Sequence, residues 1–275
     1  MSVIELSVKK HHREMDYNYF AFENLPTEII FKILDYVPYK DLSIISMVSR
    51  TFYLLATDPL LWKSYEICYP TEPEKLISIL NLNRFRKLET LDLDLHQGRT
   101  DVKVSSQQTC DIFASLENIE LNSLTIGYFD LTPVSSSHLS RVLNNIKCVH
   151  FFDAVQNHNG KVQNQISDEQ VVQIIEDIPK HRNMESFQVR GFDFSKVESK
   201  SLSKAINSLT KFNSYDCNFS PGQLEAIFEE MAVKTNLKSL SFFNKDLQKI
   251  SPITISKAFN NLEKLLVGHG KLSAE

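Results

Sequence analysis

A spaced apolar pattern recurs through the last two thirds of the chain and constrains the fold more than any other feature of the sequence. It places aliphatic or aromatic residues at positions 1, 4 and 6 of a short segment, although Ser214 takes position 6 in one copy. The seven segments begin at Leu88, Leu121, Ile146, Met184, Leu209, Leu237 and Leu262. Residues two apart lie on the same face of a strand, so each segment predicts a short strand with one buried face. The starts are 25 to 38 residues apart, which leaves room for a turn and a helix in each unit.

A longer period in the same region indicates that the units come in pairs. The segments at 202–209 and 255–262 read LSKAINSL and ISKAFNNL and lie 53 residues apart. A related segment, LSRVLNNI, occupies 139–146, and two expected helix starts, at Ser167 and Ser220, are also 53 residues apart. The segment that starts at 139 lies 63 residues before the one that starts at 202, ten more than the period. A polar stretch at 155–165 accounts for these ten residues as an insertion.

Strand–turn–helix units at this spacing resemble the leucine-rich repeat. Their alternating length resembles the ribonuclease-inhibitor-like class of that family, and Cys217 matches the residue usual at the turn. The resemblance implies an α/β fold over residues 67–275, in which about seven strand–helix repeats form a curved parallel sheet. A single unit of this kind cannot bury its apolar face, so stacking between neighbours supplies the core.

A binding site for a target protein is predicted on the concave face of that sheet. Side chains alternate along a strand, so the residues between and just after the patterned apolar ones point to this face. Aromatic and arginine side chains, which are enriched at binding hot spots, form a row there about 15 Å long. The predicted site comprises this row and the neighbouring column: His150, Phe152, Gln188, Arg190, Asn213, Tyr215 and Phe243. Arg190 is suited to pair with a phosphate. Alternatively, the aromatic side chains only pack on one another across the strands.

An apolar helical module at 21–66 precedes the repeats, after a polar arm at 1–20 that we expect to be flexible. Pro26 suits the first turn of a helix, Pro38 ends that helix, a second helix is expected from about Asp41, and Pro59 follows a third. The spacing of the apolar residues predicts these three short helices. A module this small cannot hide all of its Ile and Leu side chains. We therefore expect some of them to contact another protein, with packing on the rest of the chain alone as the alternative.

This module resembles the F-box, the motif that docks on the Skp adaptor of cullin-based ubiquitin ligases. The residues that carry the resemblance are Leu25, Pro26, Glu28, Ile29, Ile30, Ile33, Leu34, Asp41, Leu42, Val48, Ser49, Arg50, Phe52, Leu61 and Trp62. Two departures are mild: Phe52 stands where Trp is frequent, and Val37 stands where Leu is commoner. The resemblance implies that a Skp-type adaptor contacts Leu25, Pro26, Ile29, Ile33, Leu34, Leu42, Val48 and Trp62.

Charge and composition exclude several function classes. The net charge is −4 and the isoelectric point about 6.1, so the chain has no overall attraction for nucleic acid. No apolar run reaches the ~18 residues that a membrane helix needs, and the N-terminus lacks the apolar block of a secretory signal. Four widely spaced cysteines argue against a disulfide framework or a zinc ribbon. We therefore expect a cytoplasmic or nuclear protein without a membrane or nucleic-acid partner.

Catalysis is not indicated by any motif of the sequence. With seven glycines in 275 residues, glycine-rich phosphate loops are improbable, and no hydrolase or metalloprotease signature occurs. His11, His12, Glu14 and Asp16 could bind a metal, but a solvated arm explains them better. We expect no cofactor and no bound metal.

The two resemblances together predict the substrate receptor of a Skp–cullin–F-box ubiquitin ligase, a subunit that is not itself an enzyme. The repeats would hold the target protein, and the Skp-type adaptor would link the chain to a cullin. Two alternatives stay open: a scaffold that binds the adaptor without a cullin, and an enzyme with an unrecognised site. The next helix of the 53-residue period is expected at Ser273, so we also expect a truncated or unusual C-terminal repeat.

Overall fold

The computed structural model describes residues 22–66, 73–94, 104–127, 129–152, 155–156, 162–163, 166–181, 183–243, 247 and 250–268. The predicted arm at 1–20, with its two histidines, and the expected helix start at Ser273 lie outside these residues. The chain divides into two compact units, Met1–Ala56 and Thr57–Glu275. No helix in the described ranges is both long and apolar enough to cross a membrane.

The first unit contains the three short helices that the sequence predicts. They are α1 (Thr27–Leu34), α2 (Tyr39–Ile45) and α3 (Arg50–Ala56). Pro26 and Pro38 are the N-caps of α1 and α2, with nearly identical extended backbone angles. The second helix thus begins at Tyr39, two residues before the expected Asp41, because Pro38 is its N-cap. The rings of Phe22 and Phe52 stack at 5.4 Å and connect the N-terminal turn to α3.

The second unit contains an eight-stranded parallel sheet whose neighbouring strands follow chain order. The strands are β1 (Ser64–Glu66), β2 (Thr90–Asp94), β3 (Ser123–Gly127), β4 (Cys148–Phe152), β7 (Ser186–Arg190), β8 (Lys211–Tyr215), β9 (Ser239–Phe243) and β10 (Lys264–Gly268). Each of the seven patterned segments overlaps one of these strands, as predicted. The eighth strand, β1, was not predicted and pairs with β2. A small antiparallel pair, β5 (Val155–Gln156) with β6 (Val162–Gln163), lies in the predicted polar insertion.

A helix stands between each consecutive pair of strands in this sheet. These helices are α4 (Pro73–Leu80), α5 (Ser106–Leu116), α6 (Ser136–Leu143), α7 (Asp168–Asp177), α8 (Ser199–Ser208), α9 (Pro221–Val233) and α10 (Pro252–Phe259). The patterned apolar residues face them: the ring of Phe228 in α9 lies 6.1 Å from that of Phe242 in β9. Strand side chains alternate, so Gln188 and Arg190 lie on the opposite face of β7 from the buried Phe187 and Val189. We call that opposite side of the sheet the outer face.

Two buried glutamines show how the 53-residue period stabilises the second unit. Gln170 and Gln223 each complete a capping box at the start of a helix, with Ser167 and Ser220 as N-caps. The Nε2 group of Gln223 also donates to the carbonyls of Phe194 and Val197 of the preceding repeat, at 2.7 Å each. Gln170 makes the equivalent pair of bonds to the preceding repeat. One amide side chain therefore caps its own helix and links that helix to the preceding repeat of the same unit.

Replacing Gln223 with alanine should destabilise the second unit by about 2–4 kcal/mol, because two buried carbonyls and the N-cap amide lose their partners. Gln107→Ala is the matched control, since Gln107 is exposed on α5 and its side chain bonds only Asp111. The free energy of unfolding in urea measures both variants. Equal stability of Gln223→Ala and Gln107→Ala would show that the buried amide is not a structural link.

Candidate protein-binding surfaces

Helix α1 carries apolar side chains on two adjoining faces. Ile30 and Leu34 are four residues apart and only 3% and 2% exposed. Ile29 and Ile33 are also four residues apart, but they are 41% and 39% exposed. Residues at i and i+4 lie on the same face of a helix, so each pair forms a stripe. One stripe is buried within the chain, and the other leaves apolar surface in water.

Exposed apolar side chains are concentrated in the first unit. Eight of the fourteen large exposed ones in the described part of the chain lie between residues 22 and 56. We call them the apolar surface of the first unit: Ile29, Ile33, Tyr36, Ile44, Met47, Val48, Tyr53 and Leu54. Tyr36, Met47 and Val48 are more than two thirds exposed. Exposed apolar residues at this density are typical of a surface that binds another protein.

The residues predicted to contact a Skp-type adaptor fall into two groups. Pro26, Ile29, Ile33 and Val48 are exposed and Leu25 is half-buried, so all five are accessible. Leu34 and Leu42 are 2% and 1% exposed. These two leucines therefore have no free surface for an adaptor in this conformation, and the expectation of direct contact needs correcting for them. The predicted adaptor-binding set did not include Tyr36, Ile44 and Met47, which lie outside the motif positions and are each more than half exposed.

Trp62, the last residue of the predicted adaptor set, belongs to the second unit and is only 2% exposed. Its ring meets that of Phe85 edge-on at 5.3 Å, and the guanidinium of Arg84 lies 4.5 Å from the ring centre. The ring of Tyr65 in β1 is 6.2 Å away. Trp62 is thus a core residue beside the first strands of the sheet, which corrects the expectation that it faces the adaptor.

Residues 22–67 match the F-box-like family model. The match covers about a sixth of the chain and runs across the division between the two units at Ala56. An F-box-like domain indicates a role in binding a Skp-type adaptor, and the apolar surface of the first unit lies within it. No curated protein matches the chain.

Beyond the F-box-like domain, the register of the sheet aligns two rows of side chains on the outer face, as the sequence predicts. The first row runs through Thr125, His150, Gln188, Asn213 and Ser241. The second row includes Phe152, Arg190 and Tyr215 on adjoining strands, followed by Phe243. The seven residues of the predicted target site are therefore brought together on four neighbouring strands.

The second row is an aromatic and charged ridge. Tyr215 and Phe243 stack with ring centres 4.4 Å apart and planes 16° from parallel. The predicted alternative, packing of aromatic rings across strands, is thus realised for this pair, and both residues are half-buried. Arg190 donates from Nε to Asp216 Oδ2 at 3.2 Å. Asp216 has a positive φ of 53°, which places its carboxylate at the turn after β8.

The five residues of the first row from Thr125 to Ser241 carry no charge at neutral pH, whereas the register continues beyond Thr125 to Asp92. Burial and, to a smaller extent, the charge of Lys211 lower the pKa of His150, so its imidazole is neutral at pH 7. Asn213 is only 6% exposed, and its Nδ2 donates to Gln188 Oε1 at 3.1 Å. Asn213 was predicted to contact the target, but the structure leaves it almost no free surface at the floor of the outer face beside the ridge, so that contact stays a prediction.

Gly268 fixes the position of Phe243 in the ridge. A Cβ atom at residue 268 would clash with the Cδ1 and Cε1 atoms of Phe243, so Gly268→Ala should displace the ring from its stack with Tyr215. We expect faster hydroxyl-radical oxidation of Tyr215 in this variant, measured by mass spectrometry. Gly222→Ala is the control, because nothing lies within 4 Å of a Cβ there. Equal oxidation of Tyr215 in both variants would contradict this role of Gly268.

The described residues offer no metal site. No group of three or more His, Cys, Asp or Glu side chains with metal-binding geometry occurs among them, and His11 and His12 lie outside the described ranges. Cys110 and Cys148 are free thiols, and burial raises the pKa of Cys148. A thiol with a raised pKa is a poor nucleophile at neutral pH.

Proposed function

We propose that this chain is the substrate receptor of a Skp–cullin–F-box ubiquitin ligase. The observation that carries the proposal is the apolar surface of the first unit, which lies in a stretch that matches the F-box-like family. A Skp-type adaptor covers these side chains and connects the chain to a cullin. The chain acts in the cytoplasm or the nucleus, where such adaptors are found.

The second unit is proposed to be a leucine-rich-repeat array that holds the target protein. The support for this is the parallel sheet with a helix between consecutive strands and a strand at each patterned segment. The two rows of the outer face are the proposed contact surface. The ridge combines aromatic and arginine side chains, the types that dominate binding energy at protein interfaces.

In this function the chain performs no bond-making step. It holds a target lysine near a ubiquitin-conjugating enzyme and so raises its effective concentration. The sequence carries no motif that would support an independent active site.

The test is reconstitution with purified Skp-type adaptor, cullin, RING subunit and conjugating enzyme. The proposal predicts a stable assembly that contains the chain and the cullin, and ubiquitylated client proteins that depend on the chain. Binding of the adaptor without cullin recruitment would instead identify a scaffold. Absence of adaptor binding would overturn the proposal, and turnover that survives removal of residues 1–56, the first unit, would identify an enzyme.

A further inference from the structure

Two lysines and a serine lie side by side where the last three strands of the outer face begin. The register pairs Ser239 of β9 with Lys211 of β8 on one side and with Lys264 of β10 on the other. Both lysines are exposed and the serine is half-buried. The next residues of β8 and β9, Phe212 and Leu240, are fully buried on the opposite face, which places these three on the outer face. We call Lys211, Ser239 and Lys264 the cationic row.

The positive charge of the cationic row is not neutralised by the residues around it. Neither Lys211 nor Lys264 forms a salt bridge within the described part of the chain, whereas Lys238 Nζ lies 4.0 Å from Glu263 Oε1. Where β7 to β10 begin, the chain carries these three lysines and two glutamates, Glu185 and Glu263, so one positive charge is in excess. The serine hydroxyl of the row also has no hydrogen-bond partner among the described residues. The row therefore offers donors and positive charge to a ligand.

The charge of Lys211 acts across the outer face. Burial is the larger cause, and the charge of Lys211 the smaller one, of the lowered pKa of His150, which lies two strands away on β4. An acidic residue of the same face, Asp92 of β2, is half-buried and lies four strands from β8, about 19 Å away. Charge is thus graded along the outer face, and a negatively charged group is attracted to the side formed by β8 to β10.

A carboxylate is the anionic group that fits the cationic row best. Two ammonium groups and a hydroxyl can all donate to the two oxygens of one carboxylate. The strands β8 and β10 are about 10 Å apart, and the flexible stems of Lys211 and Lys264 allow both ammonium groups to reach a group above Ser239. The guanidinium of Arg190, whose fork shape would suit a phosphate, lies in the other row and already donates to Asp216.

Apolar surface begins two residues along the strands from the cationic row. Leu266 is 44% exposed and follows Lys264 by two residues on the same face of β10. Further along, the ring of Phe243 stacks on that of Tyr215. Side chains two residues apart in an extended segment also lie on one side, about 6.6 Å apart. A segment that runs along the strands with an acidic residue over the cationic row therefore places the residue two positions away over Leu266.

We propose that the cationic row binds an aspartate or glutamate side chain in an extended segment of the target protein, with an apolar side chain two residues away against Leu266. The inference rests on the proposed function, because it names the class of target segment that the outer face takes. Neither Lys211 nor Lys264 belongs to the target site predicted from the sequence, so the inference extends that site to the beginning of the strands.

A peptide selection tests the inference. Short random peptides are selected on the purified full-length chain, bound to its adaptor if one is found, and affinities are measured by fluorescence polarisation. We expect the selected peptides to share an acidic residue with an apolar residue two positions away. Replacing that acidic residue by its amide, glutamine for glutamate, should weaken binding to the wild type about tenfold, because the charge-assisted hydrogen bonds are lost.

The double variant Lys211→Met, Lys264→Met removes the two charges and keeps most of each side chain. It should bind the acidic peptides at least about tenfold more weakly than the wild type and should no longer distinguish the acid from its amide. Lys200→Met, Lys204→Met is the matched control, since both lysines are exposed on α8, and it should leave affinity unchanged. The melting temperature of each variant controls for loss of fold.

Four results would overturn the inference. They are a selection that enriches no peptide, selected peptides without a shared acidic residue, equal affinity of the wild type for the acid and its amide, and wild-type affinity in a folded Lys211→Met, Lys264→Met chain. A phosphoserine analogue that binds more than about a hundredfold tighter than the carboxylate peptide would also overturn it, because the row would then select phosphate.

Failure of this inference and failure of the proposed function give different results. Adaptor binding depends on the first unit, so an intact adaptor complex without selectivity for acidic peptides rejects only the inference about the cationic row. Selective binding of acidic peptides without any adaptor complex rejects the ligase function and leaves the outer face as a peptide-binding surface.

Discussion

Replacing Ile29 and Ile33 together with aspartate is expected to abolish binding of a Skp-type adaptor, with at least about a hundredfold loss of affinity. Both side chains are about 40% exposed on one stripe of α1, so an adaptor that covers them removes the remaining apolar surface from water. Two carboxylates at these positions would be desolvated without partners, which costs several kcal/mol. Because the stripe faces solvent, the helical content of the chain should stay close to that of the wild type.

Ile253→Asp provides the matched control for this experiment. Ile253 is 67% exposed on α10 of the second unit, outside the F-box-like residues, so the same substitution should leave adaptor binding unchanged. Co-purification with the adaptor and a measured dissociation constant report both variants. Undiminished binding by a folded Ile29→Asp, Ile33→Asp chain would show that α1 does not form the docking surface.

Replacing Trp62 with alanine is expected to destabilise the second unit by about 3–5 kcal/mol, because the substitution leaves a large cavity. The indole is almost fully buried against Phe85, and it carries the guanidinium of Arg84 over its ring. The free energy of unfolding, followed by circular dichroism in urea, measures the loss. The expected result is primarily a loss of stability, with adaptor affinity lowered only to the extent that the chain unfolds.

Leu60→Ala is the local comparison, since Leu60 is 51% exposed two residues earlier and should cost less than about 1 kcal/mol. A Trp62→Ala chain that keeps its wild-type stability but no longer binds the adaptor would reverse this assignment. It would return Trp62 to the interface that the family resemblance implied.

The repeating pattern located the strands because its physical basis is local. Apolar residues at alternate positions must share one face of a strand, and Leu91 and Leu93 of β2 are both fully buried as this requires. The strand β1 was missed for the same reason. Its three residues, Ser64–Glu66, carry no such alternation, and it is defined by backbone pairing with Thr90–Asp92.

The candidate binding residues were harder to predict because exposure depends on tertiary packing. The sequence contains two equivalent apolar pairs in α1, each four residues apart: Ile29 with Ile33, and Ile30 with Leu34. The local sequence does not show which of the two pairs is buried. The resemblance to the F-box placed Trp62 with the first helices, whereas its burial depends on Phe85 and Arg84 of the following repeat. The depth of Asn213 likewise follows from neighbouring strands, which the register of one strand does not specify.

Calorimetric titration of the intact chain with a purified Skp-type adaptor, repeated at several temperatures, tests the central claim most directly. The account predicts specific binding with a negative heat capacity change, because the apolar surface of the first unit is removed from water when the complex forms. It also predicts that the Ile29→Asp, Ile33→Asp variant releases no heat of binding. No binding by the wild type, or binding without a heat capacity change, would contradict the claim that these exposed side chains form the adaptor-docking surface.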